Sequence, residues 1–109
     1  MKLIVAIVQR EDTADLIDAL VEKGYRATRI DTAGGFLKSG NTTLMIGVED
    51  HQVEDVFGII TDHCKRRTVQ VNPVVSSVMP GQFYVPFSME VEVGGATLFV
   101  LPVERFERV

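Results

Sequence analysis

The stretch Lys2-Leu-Ile-Val-Ala-Ile-Val-Gln9, KLIVAIVQ, holds six consecutive apolar residues, four of which are β-branched. A short run of this composition is typical of a buried strand. Successive side chains of a strand point to opposite faces, so Leu3, Val5 and Ile7 would share one face and the apolar residues that follow each of them the other. The stretch therefore predicts a central strand with two apolar faces.

Two amphipathic helices and two more strands are predicted next along the chain. Asp12 offers an N-cap for the first helix, and apolar residues then recur at helical spacing until Gly24 supplies a stop. Strands are predicted from residue 25 to about residue 32 and over residues 42–48. Asp50 would cap the second helix, whose apolar face consists of Val53, Val56, Phe57, Ile60 and Cys64.

The remainder of the chain predicts a long connection and then a hairpin. From Lys65 to about Ser88 the periodicity fades, and a connection of that length in a compact domain is usually functional or mobile. The segments 89–93 and 96–101 alternate in the manner of strands. Between them Gly94 and Gly95 can adopt the positive φ that a two-residue hairpin turn requires.

This order of elements predicts an α+β fold over residues 1–109, in a single domain. It matches the ferredoxin-like βαββαβ sandwich, followed here by a C-terminal β-hairpin. We expect the first and third strands to lie central and parallel, with both helices on one face of the sheet. Because two helices cover only one of the two apolar faces, the second face predicts burial in a homo-oligomer.

Charge and composition exclude several classes of protein. Fifteen acidic against eleven basic residues give a net charge of -4, the wrong sign for electrostatic binding of a long nucleic acid. No segment approaches the roughly 20 apolar residues of a membrane span. The single cysteine, Cys64, excludes an intrachain disulfide. These features predict a cytoplasmic protein without nucleic-acid or membrane partners.

Few residues suggest catalysis or metal binding. His51 and His63 lie about three turns apart on the predicted second helix, so they cannot converge on one metal ion. The carboxylates between Glu11 and Asp18 are expected on the solvated side of the first helix. Since no nucleophile, base or ligand set converges, we predict that the protein is not an enzyme and holds no metal or cofactor.

A phosphate-binding site is predicted on the second strand. Arg26 and Thr28 are two residues apart and share a strand face, where a guanidinium and a hydroxyl can hold a phosphate. Gly47, in the middle of the third strand, suggests a backbone that something approaches closely.

The connection TAGGFLKSGNTT, residues 32–43, supplies further candidates. Gly34 and Gly35 permit close backbone approach by a ligand. Phe36 and Leu37 can flank a planar ring, and Asn41 carries the donor and the acceptor that a purine edge demands. The same residues also fit a bent hairpin in which Phe36 and Leu37 pack on a neighbour and Asn41 is a turn residue. The residues by themselves leave both interpretations open.

Four segments together carry a resemblance to known proteins: KLIVAIVQ at the start, YRAT at residues 25–28, TAGGFLKSGNTTLMIGV at residues 32–48 and VEVGGATLFVLPV at residues 91–103. They resemble the PII-like cyclic di-AMP receptor family. The resemblance implies a ferredoxin-like homotrimer without catalytic activity. It also implies that one cyclic di-AMP binds in each of three clefts between subunits.

The resemblance also assigns residues to the ligand. Arg26 and Thr28 would contact phosphate and ribose. The residues that would enclose and read an adenine are Gly35, Phe36, Leu37, Asn41 and Gly47, with Phe99 of the terminal hairpin close by. The chain departs from the family in the long connection, which lacks its Met-Gly-Gly and aromatic-proline pieces. It also departs at Arg108, where the family often has glutamine and where arginine can favour a phosphate.

The leading hypothesis is a sensor in which cyclic di-AMP changes the loops that an unidentified downstream protein meets. The alternative is a PII-type or metal-tolerance-type trimeric regulator that binds ATP or a divalent ion. That class requires a ligand cluster or an extended loop between the second and third strands, and the sequence contains neither. An enzyme of small-molecule metabolism ranks last, because no acid-base pair converges.

Overall fold

The computed structural model describes residues 1–31, 40–71 and 89–109. In these ranges the elements follow one another as β1 (Lys2–Gln9), α1 (Arg10–Glu22), β2 (Ala27–Ile30), β3 (Asn41–Val48), α2 (Val53–Cys64), β4 (Arg67–Val71), β5 (Met89–Val93) and β6 (Ala96–Pro102). A short 3-10 helix, Asp50–Gln52, leads into α2. The predicted helices and the first three strands are present within a few residues of their expected bounds.

The main sheet has the strand order β2-β3-β1-β6, and every neighbouring pair in it is antiparallel. The expectation that β1 and β3 lie side by side at the centre is confirmed, whereas the expectation that they run parallel is wrong. The crossover through α1 makes β1 and β2 parallel to each other. Because β3 returns from β2 and inserts between the two, it runs opposite to both. The result is an α+β fold consistent with the ferredoxin-like arrangement.

The predicted C-terminal hairpin is wrong, because β5 and β6 belong to different sheets. The β5 strand pairs with β4, from Arg67 opposite Val93 onward. The β6 strand instead pairs with β1 at the edge of the main sheet. Gly94 and Gly95 have the predicted positive φ, 85° and 90°, but they connect two sheets. A side chain at Gly94 would collide with the backbone carbonyl of Lys65, so the chain passes tightly against the end of α2 instead of turning back on itself.

Helix α1 begins earlier than predicted. Its N-cap is Gln9, whose carbonyl accepts a hydrogen bond from Thr13 Oγ1 at 3.0 Å. Asp12, the predicted N-cap, lies in the first turn instead, and its side chain is buried. The predicted stop is confirmed, since Gly24 has a φ of 86° and donates its N–H to the Val21 carbonyl.

Asp50, the predicted N-cap of the second helix, lies instead in the 3-10 helix that precedes α2, and the N-cap of α2 itself is Gln52. Glu49, not Asp50, caps the 3-10 helix, and it exchanges hydrogen bonds with Gln52 in a capping box. The predicted apolar face of α2 is confirmed, because three of its members are buried in the core and Val53 and Phe57 pack against it. Of the helices in the described ranges, α1 and α2 included, none is long and apolar enough to cross a membrane.

The core lies between one face of the sheet and the two helices. Alternate residues of β1 and β3 meet the apolar faces of α1 and α2, and the buried set is Ile4, Ala6, Val8, Leu16, Leu20, Leu44, Ile46, Val48, Val56, Ile60 and Cys64. On the opposite face Val5 lies between Met45 and Phe99 in register. Phe99 and Leu101 of β6 remain 49% and 47% exposed. The described residues therefore leave an apolar sheet face partly open, as the sequence predicts.

Candidate ligand-binding site

A groove of about 750 Å3 opens where the beginning of β1, the beginning of β2 and the end of β3 meet the C-terminal tail. We call it the Arg26 groove. Its lining consists of Met1, Leu3, Gly24, Tyr25, Arg26, Thr28, Met45, Gly47, Gln52, Val103, Phe106 and Arg108. The tail reaches this position because the Val103 N–H donates to the Met1 carbonyl at 3.2 Å.

Two predicted phosphate ligands lie together in this groove. Thr28 is opposite Met45 in the β2–β3 register, and Arg26 precedes β2 with the same parity, so both side chains fall on the face away from the helices. Arg29 has the other parity, and its Nε donates to Asp31 Oδ2 at 2.9 Å. Strand alternation thus places these two arginines on opposite faces, and of the two it is Arg26 that lines the groove.

Gly47 lies at the floor of the groove, opposite Leu3 of β1. A Cβ at this position would meet nothing within 4 Å, and its φ is not positive. Neither packing within the subunit nor backbone conformation therefore requires glycine here. The missing side chain leaves the strand backbone open at the groove.

The lining of the Arg26 groove suits an anion. It includes two guanidinium groups, Arg26 and Arg108, and its described residues include no carboxylate, although the chain as a whole carries a net charge of -4. Much of the negative charge lies elsewhere. Eight of the fifteen acidic residues are in α1 and α2, where Arg10 is the single arginine or lysine. The charges are segregated between the helical layer and this groove.

Tyr25 borders the groove and is held from the helical side. Its hydroxyl donates a hydrogen bond of 2.6 Å to Asp55 Oδ2. This hydrogen bond to the Asp55 carboxylate raises the pKa of Tyr25.

Asn41 lies far from this groove. It is opposite Gln9 at the other end of the β1–β3 ladder, six residues from Gly47, which corresponds to about 20 Å along a strand. Asn41 instead lines a small cavity of about 200 Å3, which also includes Arg66 and the backbone of Gly94. One subunit therefore cannot place Asn41 and Gly47 against the same adenine.

The remaining predicted ligand residues are not brought together by the described chain. Phe99 lies on β6 opposite Val5, on the open sheet face but outside both cavities. Gly35, Phe36 and Leu37 lie outside the described residues. Most of the predicted long connection, residues 72–88, does so as well, while its first part forms β4.

The structure adds groove residues that the sequence did not suggest, chiefly Met45, Gln52 and Phe106. Met45 shares the parity of Gly47, so strand alternation alone could have identified it. Phe106 lines the groove because the C-terminal tail lies there, and no local sequence pattern predicts the position of the tail.

Among the described residues, no three His, Cys, Asp or Glu side chains cluster as a metal site would require. The arrangement is suited to binding an anion with an aromatic part.

Known proteins resemble this chain over most or all of its length. The whole of residues 1–109 matches the family described as cyclic-di-AMP receptor. A nitrogen fixation nifHD region GlnB-like protein 1 of Methanothermococcus thermolithotrophicus is 38% identical over 73 residues, covering 55% of this chain and 70% of that protein. A functionally unknown protein from Pediococcus pentosaceus ATCC 25745, known from its crystal structure, is 42% identical with a TM-score of 0.78. That match covers 99% of this chain and 96% of the other. This chain belongs to the cyclic-di-AMP receptor family.

Proposed function

We propose that this protein is a non-enzymatic cytoplasmic receptor that binds cyclic di-AMP in clefts between the subunits of a homotrimer. Binding changes the conformation of its loops and so signals to a downstream protein. The observation that carries the proposal is the Arg26 groove, which brings Arg26, Thr28 and Gly47 together without a carboxylate among its described lining residues, in a chain of the cyclic-di-AMP receptor family.

The two phosphates of cyclic di-AMP account for the charge of the groove. Arg26 contacts one phosphate as a charge-assisted hydrogen-bond donor, with Thr28 beside it at the ribose. Arg108 lines the same groove and pairs with the second phosphate, where a neutral side chain would offer only a weaker hydrogen bond. No metal ion or cofactor takes part.

The adenine is held from the other side of the cleft. Gly35, Phe36 and Leu37 enclose the base, Asn41 reads its edge, and Phe99 lies nearby. The distance of about 20 Å that six strand residues span separates Asn41 from Gly47 in one chain, which supports a site shared by two subunits. The open apolar sheet face around Val5 and Leu101 supports the trimer that such sharing requires.

Calorimetric titration tests this function directly. Cyclic di-AMP should bind with submicromolar to micromolar affinity, while cyclic di-GMP and ATP should give little or no heat. Asn41→Ala should lose binding while the protein keeps its melting temperature. The absence of heat with cyclic di-AMP in the unmodified protein would overturn the proposal.

A PII-type regulator that binds ATP is the second candidate, because one relative is GlnB-like. The ATP titration distinguishes the two. An ATP-dependent rise in melting temperature equal to that produced by cyclic di-AMP would favour the second candidate, because a ligand stabilises the folded state according to its affinity.

A further inference from the structure

Strands β4 and β5 form a two-stranded ribbon that is separate from the main sheet. An isolated ribbon of two strands is at best marginally stable in water. Its position relative to the core therefore depends on the contacts at its base. The ribbon also bounds the predicted long connection at both ends, since that connection leaves β4 and returns as β5.

Two side chains of the β1–α1 junction, residues 9–12, anchor this base. Gln9 Oε1 accepts a hydrogen bond of 2.7 Å from the Gly94 N–H. Arg67 of β4 donates from Nη2 to Asp12 Oδ1 at 2.8 Å. A third contact, from the Gly95 N–H to the Cys64 carbonyl, ties the same place to the end of α2.

The Asp12 anchor is the more costly to break. Asp12 is only 6% exposed, and its Oδ2 finds no hydrogen-bond partner among the described residues. A buried carboxylate is stable in its charged form only while a cation compensates it. The Arg67 guanidinium, whose side chain is 44% exposed, supplies that charge from the ribbon, and the Asp12 carboxylate raises the pKa of Arg67 in return.

The same junction contacts the beginning of β3. Gln9 is directly opposite Asn41 in the β1–β3 register. The next residue, Arg10, donates its N–H to the Gly40 carbonyl at 2.6 Å. Gln9 thus pairs with Asn41 through its backbone and holds Gly94 through its side chain. Only one residue separates the predicted adenine contact from the ribbon.

We propose that the β1–α1 junction couples ligand occupancy at Asn41 to the anchoring of the β4–β5 ribbon. This inference rests on the proposed function. A ligand held by Asn41 fixes the strand end that Gln9 and Arg10 contact, so it favours the anchored ribbon over a released one. Coupling is reciprocal: the factor by which the ligand favours the anchored ribbon is also the factor by which release of the ribbon weakens ligand binding. A variant that releases the ribbon must therefore bind the ligand more weakly.

Hydrogen exchange with and without cyclic di-AMP tests the coupling. In the unmodified protein the ligand should slow exchange of the β4 and β5 amides at least about fivefold, the lower end of typical coupling. Gln9→Ala should abolish this protection and weaken calorimetric binding by the same factor without eliminating it. Gln70→Ala removes an exposed glutamine of β4 that is not one of the anchors, and it should behave as the unmodified protein.

A second variant breaks the other anchor at a distance from Asn41. The double substitution Asp12→Asn with Arg67→Gln removes the ion pair without leaving a charge buried, so it should fold, and it should also lose the ribbon protection. Binding without a change in ribbon exchange, or full protection in both anchor variants, would overturn the coupling alone. The absence of cyclic di-AMP binding to the unmodified protein would instead overturn the proposed function and this inference with it.

Discussion

Single arginines provide the sharpest test of the Arg26 groove. Arg26 and Arg108 line it, whereas Arg29 pairs with Asp31 and Arg105 pairs with Glu107. Charge-assisted hydrogen bonds contribute about 1.5–3 kcal/mol each, so Arg26→Ala and Arg108→Ala should each weaken cyclic di-AMP binding by about 10- to 100-fold.

The controls are matched in residue type and location. Arg29→Ala and Arg105→Ala remove arginines that lie three residues from the groove arginines, and each should change the calorimetric affinity by less than about threefold. Equal losses in all four variants would mean that binding responds to overall charge and not to this groove.

The pH dependence of the unfolding free energy should reflect the titration of two side chains, Cys64 and Tyr25. Burial, and next the Asp12 carboxylate, raise the pKa of the Cys64 thiol from 9.0 to about 11, and the hydrogen bond to Asp55 raises that of Tyr25. A raised native pKa stabilises the folded state fully below the unfolded pKa and no longer once pH exceeds the native value. Unfolding free energy should therefore fall between pH 9 and about 11.

Chemical denaturation at several pH values checks this expectation. The decline should be shallower in Cys64→Ala and shallower still when Tyr25→Phe is added, because each substitution removes one titrating group. If the unfolding free energy of the variants declines with pH as steeply as that of the unmodified protein, these two groups do not cause the loss of stability at alkaline pH.

At the scale of residues, the sequence predicts what depends on strand parity. Arg26, Thr28 and Gly47 lie on one face because alternation requires it, and the structure places them in one groove. The separation of Asn41 from them depends on strand register. Register follows from how whole strands pair, and no single residue encodes it.

At the scale of elements, two glycines differ in what they do. Gly94 has a φ of +85° and its Cβ would collide with the Lys65 carbonyl, whereas Gly47 has ordinary backbone and an open position. Gly94→Ala should destabilise the fold by at least about 2 kcal/mol, because strain and collision add. Gly47→Ala should change stability by less than about 0.5 kcal/mol but should weaken ligand binding.

Thermal melting and calorimetry on both variants separate these roles. The expected pattern is a lowered melting temperature for Gly94→Ala, and an unchanged melting temperature with weakened binding for Gly47→Ala. Gly47→Ala that melts normally and binds normally would show that the open position does not serve the ligand.

The elements that the sequence predicts are those with local signals. KLIVAIVQ gives β1 with its observed bounds, and the 3.6-residue spacing gives the buried face of α2. The hairpin prediction fails because a glycine pair specifies a turn conformation but not the strands that it joins. Asp12 resembles an N-cap in sequence, while its partner Arg67 lies 55 residues away, so local pattern cannot distinguish a cap from a buried ion pair.

At the scale of the whole molecule, the proposed trimer depends on the open sheet face. Leu101 lies on this face opposite Leu3, whereas Val21 lies on α1 and is 59% exposed. Leu101→Asp places a charge in the proposed interface, and burying an unpaired charge there is strongly unfavourable. We expect this variant to be monomeric and to lose cyclic di-AMP binding.

Light scattering coupled to size exclusion measures the assembly. The unmodified protein should elute as a trimer, and the matched control Val21→Asp should remain a trimer that binds cyclic di-AMP. A trimeric Leu101→Asp would show that subunits associate through another surface. The apolar alternation of β1 predicts that a face needs covering, but it does not state how many subunits cover it.

Mixed trimers test the central claim, a ligand site shared by two subunits, most directly. Alone, Asn41→Ala subunits should lose binding and Arg26→Ala subunits should bind at least about tenfold more weakly than the unmodified protein. The two are then unfolded and refolded together in equal amounts. If each site takes Arg26 from one subunit and Asn41 from its neighbour, random assembly restores about one quarter of the sites. The account predicts this recovered stoichiometry for cyclic di-AMP by calorimetry, and no recovery in the mixture would contradict it.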